Sequence, residues 1–164
     1  MTAKATKARE PRAGYRVAKD LPARALFDVN VLIALLDADH IHHQRAAAWL
    51  AEHIVAGWAS CPITQNGCVR IMSQPGYPSP LPTAQVAARL REATRTRHHV
   101  FIPSGPSLLD PAVFDSTQLL GHRQVTDAWL LGLAVAEGLR LVSFDASLPL
   151  KVVRGATASH LVIL

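Results

Sequence analysis

The stretch from Ala25 to Leu36 constrains the fold more than any other part of this chain. It is almost wholly apolar, but it contains one carboxylate, Asp28, and an amide two residues later, Asn30. Residues 25–29 predict a buried strand and residues 30–37 an amphipathic helix, so Asp28 is expected at the carboxyl end of a strand, where open α/β sheets bind ligands. Burying such a charge is unfavourable unless a metal ion or hydrogen bonds compensate it. Other segments of the chain must therefore supply partners for Asp28.

Short strands and helices alternate along the rest of the chain. Thr64 and Thr83 are the expected caps of two helices. Because no hairpin turn separates the strands, the pattern predicts an α/β fold, with one parallel sheet of four to five strands flanked by helices on both faces. A chain of 164 residues with 49% hydrophobic residues suits one such domain. Further strands are predicted at residues 58–61, 100–102, 139–144 and 161–163, and further helices at 41–55, 65–73, 83–95 and 124–137, with a short helical segment near 115–120.

The net charge is concentrated at the N-terminus. Residues 1–24 contain seven basic and two acidic residues, a balance of +5, whereas residues 25–164 contain ten of each. Residues 1–24 are therefore predicted to be a flexible basic tail that could add non-specific affinity for a polyanion, and residues 25–164 to be the domain. The sequence shows neither a secretory signal nor an apolar run long enough to span a membrane. Cys61 and Cys68 are expected to be reduced, which favours a cytoplasmic location.

Two further carboxylates occupy positions that the predicted fold brings towards Asp28. Asp145 follows the strand at 139–144, and Asp127 lies near the start of an otherwise apolar helix. Each alone has an ordinary explanation, as a turn residue, a cap or a partner of the helix dipole. Three carboxylates at one sheet edge would repel one another, and Mg²⁺ or Mn²⁺ is the usual compensation. Such ions promote phosphodiester hydrolysis, which is the chemistry that this combination predicts.

Five segments, taken in their order and spacing, resemble the PIN-domain ribonucleases and most closely the VapC-type toxins of bacterial toxin–antitoxin pairs. The resemblance covers roughly residues 25–155. It implies a parallel sheet, Mg²⁺ or Mn²⁺ as cofactor, RNA as substrate, a homodimer and neutralisation by a small VapB-type antitoxin. The segments are Leu26–Asn30, Asp39-His40 with His43 ahead of Trp49-Leu50, Ile63–Ile71, His122 with Val125–Ala128, and Leu141–Asp145.

The resemblance also implies roles for individual residues. Asp28, Asp127 and Asp145 become the metal-binding catalytic acids, and Asn30 and Thr126 become residues that orient those carboxylates. His40 and His43 could face the site or support its loop. Four residues on the helix at 83–95 and just beyond it are candidate contacts for the RNA backbone, although an exposed polar helix face explains them equally well: Arg89, Arg91, Arg95 and Arg97.

Gln65 departs from the family pattern, which has a catalytic Glu at this position. The change is nearly isosteric, but it removes a charge and the ability to act as a base. Three interpretations follow. The chain is a deliberately inactivated form of a toxic enzyme, a natural variant with reduced activity, or a protein in which this position is not essential. The first is slightly favoured, because Glu-to-Gln changes are commonly used to tame toxins.

The leading hypothesis for function is a metal-dependent endoribonuclease toxin. The alternative is a catalytically impaired PIN fold that binds RNA or its antitoxin, which Gln65 favours. A third possibility, a phosphatase of the haloacid-dehalogenase type, needs a second acid where this chain has Asn30. Antitoxin contact is expected on the apolar faces of the first two helices, although core packing explains these residues as well: Leu35, Leu36, Trp49 and Leu50.

Overall fold

A five-stranded, entirely parallel sheet forms the centre of the protein. The computed structural model describes residues 23–164, and the strand order is β3-β2-β1-β4-β5. In the register, Ala25 of β1 lies opposite Trp58 on one side and Arg140 on the other. The α/β prediction is confirmed. The strands are β1 (Ala25–Phe27), β2 (Trp58–Ser60), β3 (His99–Phe101), β4 (Arg140–Ser143) and β5 (Leu161–Ile163).

Five α-helices connect these strands, and their ends lie within a few residues of the predicted ones. Short 3₁₀ turns extend two of them: Ile54–Ala56 follows α2, and His122–Gln124 precedes α5. Gly57, with a φ of 80°, ends the first of these turns, because a left-handed backbone suits glycine. The helices are α1 (Val29–Leu36), α2 (His43–His53), α3 (Pro62–Met72), α4 (Thr83–Thr94) and α5 (Val125–Ala136).

The predicted start of α3 is wrong. The sequence suggested that Pro62 breaks the chain and that Thr64 caps a helix from residue 65. Instead, Pro62 is the first residue of α3 and Cys61 is the N-cap. Proline suits this position, since its fixed φ is helical and its missing N–H would be unpaired there anyway. The Thr64 hydroxyl lies one turn into the helix and accepts a hydrogen bond from the Cys61 N–H over 3.0 Å.

The sheet separates two apolar clusters, as alternation along the strands requires. On β1, Phe27 belongs to a cluster with α1, α2, α3 and α4, whereas Leu26 belongs to a cluster with α5. On β4, Val142 and Leu141 divide in the same way. Helices therefore cover both faces, and the buried faces of α1 and α5 lie on opposite sides of the sheet.

The strand order places a topological switch point between β1 and β4. The chain runs outward from β1 through β2 to β3, returns through α5, and enters the sheet again on the other side of β1. In open parallel sheets, such a reversal opens a crevice outside the carboxyl ends of the two strands. Asp28 directly follows β1, and one residue, Phe144, separates Asp145 from the end of β4. Both therefore lie at the place where this fold binds ligands.

Several remaining predictions concern other parts of the chain. The predicted tail, residues 1–24, lies outside the described residues except for Ala23 and Arg24, and the Arg24 carbonyl accepts a hydrogen bond from the Arg140 N–H. Cys61 and Cys68 are both buried and free. None of the helices within residues 23–164 is both long enough and apolar enough to cross a membrane.

Candidate active site

Asp28 is fixed at the centre of the carboxyl edge of the sheet. Its side chain is only 3% exposed, and it caps α1 by accepting a hydrogen bond from the Val31 N–H over 2.7 Å. Its own N–H donates to the Val142 carbonyl, so β4 also holds its backbone. Burial raises the pKa of Asp28, and the hydrogen bonds that it accepts from Ser143 and from the start of α1 oppose this rise only in part.

Ser143 connects Asp28 to Asp145. Its hydroxyl donates to Oδ2 of Asp28, and its oxygen accepts the Asp145 N–H over 3.1 Å. Asp145 itself is exposed, and its Oδ1 accepts the Ser147 N–H over 2.7 Å. Hydrogen bonding with Ser147 lowers the pKa of Asp145. Ser143 was not predicted as a site residue, although a serine in an apolar strand, two residues before a strand-end Asp, was a usable signal.

Asp127 is the third carboxylate of the group, and α5, which carries it, packs on the face of the sheet opposite to α1. It lies in the first turn of α5 and is half-buried. Burial raises its pKa to about 6, and the negative charges of Asp28 and then Asp145 contribute to the rise. A carboxylate in the first helical turn normally benefits from the helix dipole. At Asp127 the loss of hydration outweighs that benefit.

The three carboxylates are close enough to perturb one another, and no basic side chain within residues 23–164 forms an ion pair with any of them. Among the described residues, the only ion pair joins Arg95 to Glu92, far along α4. Within residues 23–164, no group of three or more His, Cys, Asp or Glu side chains is close enough together to hold a metal ion by itself. The site therefore has excess negative charge but not a closed, all-protein cage of ligands.

A cavity of about 430 Å³ opens beside Asp127. It lies where the starts of α1 and α5 meet α3. Asn30 and Thr126, the two residues predicted to orient carboxylates, line it together with Asp127. In the described structure, neither of their side chains hydrogen-bonds a carboxylate, so their predicted role stays a prediction. The other lining residues are Val29, Ile63, Asn66, Gly67, Arg70, Ile71 and Arg123.

Gln65 does not line the cavity beside Asp127. It borders a neighbouring cavity of about 300 Å³ between α3 and α4, together with Arg91. Its Nε2 donates to Ser60 Oγ over 2.9 Å, and Ser60 Oγ contacts His99 Nε2 at 2.8 Å. Burial lowers the pKa of His99, although its hydrogen bond to the Thr94 backbone opposes this. The predicted catalytic role of Gln65 stays a prediction, and its present contacts are with β2 and β3.

The arginines predicted to contact RNA lie on the exposed face of α4 and just beyond it. Arg89, Arg91, Arg95 and Arg97 are all exposed. Arg95 pairs with Glu92 at 3.2 Å, and Arg91 borders the Gln65 cavity. None of the four lines the cavity beside Asp127. The basic residues that line it are Arg70 and Arg123, which were not predicted as site residues.

The predicted histidines support the loop between α1 and α2. His43 Nδ1 lies 2.8 Å from the Ala34 carbonyl, and His40 Nδ1 accepts the His42 N–H over 3.1 Å. His42, for which the sequence suggested no role, packs its ring 4.5 Å from that of Phe144. This contact places the loop beside the residue that precedes Asp145.

The folded unit and its acidic edge correspond to one known domain. The family model for the PIN domain matches residues 25–152, from the first residue of β1 to beyond Asp145. The chain belongs to the PIN-domain family. The resemblance read from the five segments is thereby confirmed. The match includes all three aspartates of this PIN domain, and it includes Gln65.

Three relatives of this PIN domain from Mycobacterium tuberculosis illustrate how far the similarity extends. Ribonuclease VapC44 is 55% identical over 141 residues, which cover 86% of this chain and 99% of that protein. Ribonuclease VapC38 is 42% identical over 123 residues, covering 74% and 85% of the two chains. Ribonuclease VapC39 is 42% identical over 125 residues, covering 76% and 90%. The predicted likeness to VapC-type proteins is therefore also confirmed.

Proposed function

We propose that this PIN domain is an endoribonuclease toxin of the VapC type, that it requires Mg²⁺ or Mn²⁺, and that it acts in the cytoplasm. The observation that carries the proposal is the convergence of Asp28, Asp127 and Asp145 at the switch point of the sheet, without a basic partner among the described residues. Relatives that are 42–55% identical are named ribonucleases, which supports RNA as the substrate.

The donor set fits a hard divalent cation. Asp28, Asp127 and Asp145 are the residues that would hold it. Burial raises the pKa values of Asp28 and Asp127, so a bound cation would stabilise the charged forms of these carboxylates. Mg²⁺ usually takes one or two carboxylates and completes its shell with water and substrate phosphates, so a site without a three-residue cage suits it. When bound, the cation polarises a phosphoryl oxygen and lowers the pKa of a water ligand.

The chain's own residues prepare this edge for a phosphodiester. The Val31 N–H and the Ser143 hydroxyl each hold one oxygen of Asp28, which fixes the orientation of its carboxylate. Asp145 is exposed and can meet a substrate that arrives from solvent. Asn30 and Thr126 border the cavity next to Asp127, where their side chains can donate hydrogen bonds to a carboxylate or to RNA.

Replacing Asp28 with asparagine tests the proposed activity. The purified chain, free of antitoxin, is expected to cleave a pool of folded RNA in Mn²⁺ or Mg²⁺ and to be inactive in EDTA. Asp28→Asn should retain the fold but lower the cleavage rate at least about 100-fold, because a charge at the reacting centre is lost. Gel electrophoresis of the RNA gives the rate, and circular dichroism reports folding.

The matched control is Asp39→Asn, which neutralises an exposed carboxylate in the loop before α2 and should cleave at the wild-type rate. Cleavage in EDTA, or an Asp28→Asn variant with full activity, would contradict the proposal. RNA binding without any cleavage in Mn²⁺ would support the alternative, a PIN fold that acts as a binding module.

We further propose that a VapB-type antitoxin binds an apolar groove of about 470 Å³ between α1, α2 and the end of α4. Leu35, Leu36 and Leu50 line this groove, in agreement with the surface expected from the sequence. Trp49 does not line it, because its ring packs edge-to-face against Phe27 at 6.1 Å. The homodimer implied by the resemblance stays a prediction, which analytical ultracentrifugation can test.

Leu50→Glu is expected to weaken antitoxin binding at least about tenfold, because burying a carboxylate in an apolar groove is unfavourable. Isothermal titration calorimetry with the cognate antitoxin measures the affinity. RNA cleavage should persist, since the groove does not include the three aspartates. Ala48→Glu, on the exposed side of the same helix, is the control and should bind normally. Equal affinity for both variants would exclude the groove as the docking surface.

A further inference from the structure

Two arginines share the cavity beside Asp127. Arg70 comes from the last part of α3, and Arg123 lies in the 3₁₀ turn directly before α5. They are separated by 53 positions in the sequence, yet both line one concave surface of about 430 Å³. The same cavity is bordered by two amide side chains, Asn30 and Asn66. Cationic and hydrogen-bond-donating groups therefore meet next to a proposed metal ligand.

Neither guanidinium has a partner in the described structure. The side chains of Arg70 and Arg123 take part in no ion pair and no hydrogen bond among residues 23–164, although Asp127 borders the same cavity. Both side chains are exposed, so their folded positions are not explained by core packing. Five N–H donors on each guanidinium thus remain available to a ligand that enters the cavity.

The position of these arginines distinguishes them from the basic face of α4. Arg89, Arg95 and Arg97 border neither the cavity beside Asp127 nor the one beside Gln65. An exposed arginine on a helix face is ordinarily only hydrated. An unpaired arginine in the cavity beside Asp127 can instead bind a ligand that lies next to that carboxylate. The guanidinium fork matches phosphate oxygens, which it can bind through two parallel hydrogen bonds.

We propose that Arg70 and Arg123 bind the phosphate groups next to the scissile bond of RNA and thereby position that bond against Asp127. This inference rests on the proposed ribonuclease function and assigns it two positioning residues. Binding of flanking phosphates supplies the affinity, because the acidic edge by itself repels a polyanion. Asn30 and Asn66 add hydrogen-bond donors along the same path. The α4 arginines are not part of this contact.

The test measures RNA binding separately from cleavage. Fluorescence anisotropy of a 5′-labelled twelve-nucleotide poly(U) RNA is recorded in EDTA with the full chain, over a range of salt concentrations. Arg70→Gln and Arg123→Gln are each expected to weaken binding about tenfold, and each should reduce the slope of log K against log salt by about 0.7. Arg70→Lys should restore the slope but only part of the affinity, because it keeps the charge and loses the fork.

Arg89→Gln is the matched control, since it removes the same charge from the α4 face, and it should bind like the wild type. Thermal melting should be unchanged in all of these variants, because these side chains form no hydrogen bond or ion pair within residues 23–164. The inference is overturned if Arg70→Gln and Arg123→Gln bind normally, or if Arg89→Gln weakens binding as much as they do. Arginine-dependent binding without cleavage in Mn²⁺ would contradict the proposed activity and leave the phosphate contacts standing.

Discussion

Replacing Asp127 with asparagine is expected to make the metal-free protein more stable and almost inactive. Asp127 is half-buried, and burial together with the charges of Asp28 and Asp145 raises its pKa to about 6. At pH 7.5 the carboxylate is nevertheless ionised, so the folded state carries an unfavourable charge that the unfolded state hydrates freely. Asparagine keeps the shape and removes the charge. Cleavage should fall at least about 100-fold, because a proposed metal ligand is lost.

The contribution of Asp127 to the free energy of unfolding changes with pH, and the direction of that change tests the expected gain in stability. Between pH 3.8 and about 6, folded Asp127 holds a proton that the unfolded chain has released. The contribution of Asp127 to the free energy of unfolding therefore decreases as the pH rises through this window, and Asp127→Asn removes that contribution. Urea denaturation in EDTA at pH 4.5 and 7.5 measures both. The melting temperature at pH 7.5 should rise by about 2–4 °C for each kcal/mol gained.

Asp145 provides the comparison with opposite sign. Hydrogen bonds to Ser147 lower its pKa, so its charge stabilises the folded state, and that stabilisation is lost as the pH falls through its folded pKa. Asp145→Asn should therefore not stabilise the protein at pH 7.5.

Addition of Mg²⁺ should raise the melting temperature of the wild type more than that of Asp127→Asn. An Asp127→Asn variant that is less stable than wild type at pH 7.5, or fully active, would refute this account.

Gln65→Glu is expected to reverse a chain of hydrogen bonds rather than to complete the acidic site. In the wild type, Ser60 Oγ accepts the Gln65 amide, so its hydroxyl proton is available to His99 Nε2. That arrangement requires a neutral imidazole, in agreement with the lowered pKa of His99. A carboxylate at position 65 would accept a hydrogen bond from the Ser60 hydroxyl, and His99 Nε2–H would then have to donate to Ser60 Oγ. The pKa of His99 should rise above about 6.5, the value of an unperturbed histidine.

Titration of the His99 ring by NMR measures this change directly. The contribution of His99 to the free energy of unfolding provides a second readout. In the wild type this contribution should fall as the pH drops below about 6.5, whereas in Gln65→Glu it should grow over the same range. Gln85→Glu, an identical change at an exposed position of α4, should alter neither property. A large gain in metal-dependent cleavage by Gln65→Glu would instead support the interpretation that Gln65 marks an inactivated enzyme.

The positions of Asp28 and Asp145 could be predicted because strand ends are visible in the sequence. An apolar run that stops at a carboxylate predicts both the strand and the edge at which it ends, and parallel pairing brings such edges together. Asp127 was predictable for a related reason, since the helix that leads into β4 begins at the same edge. The order of the elements was therefore sufficient to bring three distant residues to one side of the sheet.

Contacts between side chains were harder to predict than the placement of residues at the carboxyl edge of the sheet. Ser143 reaches Asp28 across neighbouring strands, 115 positions apart in the sequence, and no local pattern specifies such a contact. Arg70 and Arg123 share a cavity because α3 and the start of α5 both lie beside the start of α1. The packing of α3 there is close, since a Cβ on Gly67 would lie 2.7 Å from a methyl group of Val29. The start of α3 was misassigned because the local preference of Thr64 for a cap competes with that of Pro62 for the first helical turn.

The distance along the chain between Asp28 and Ser143 bears on when the acidic edge can exist during synthesis. Strand β4 is hydrogen-bonded to β1 on one side and to β5 on the other. A nascent chain on the ribosome contains α1, α2, α3 and α4 long before it contains β4, since residues are added from the N-terminus. Until β4 emerges, Asp28 lacks Ser143 and Asp145 as neighbours. The apolar surfaces of α1 and α2 thus leave the ribosome well before the last components of the acidic edge.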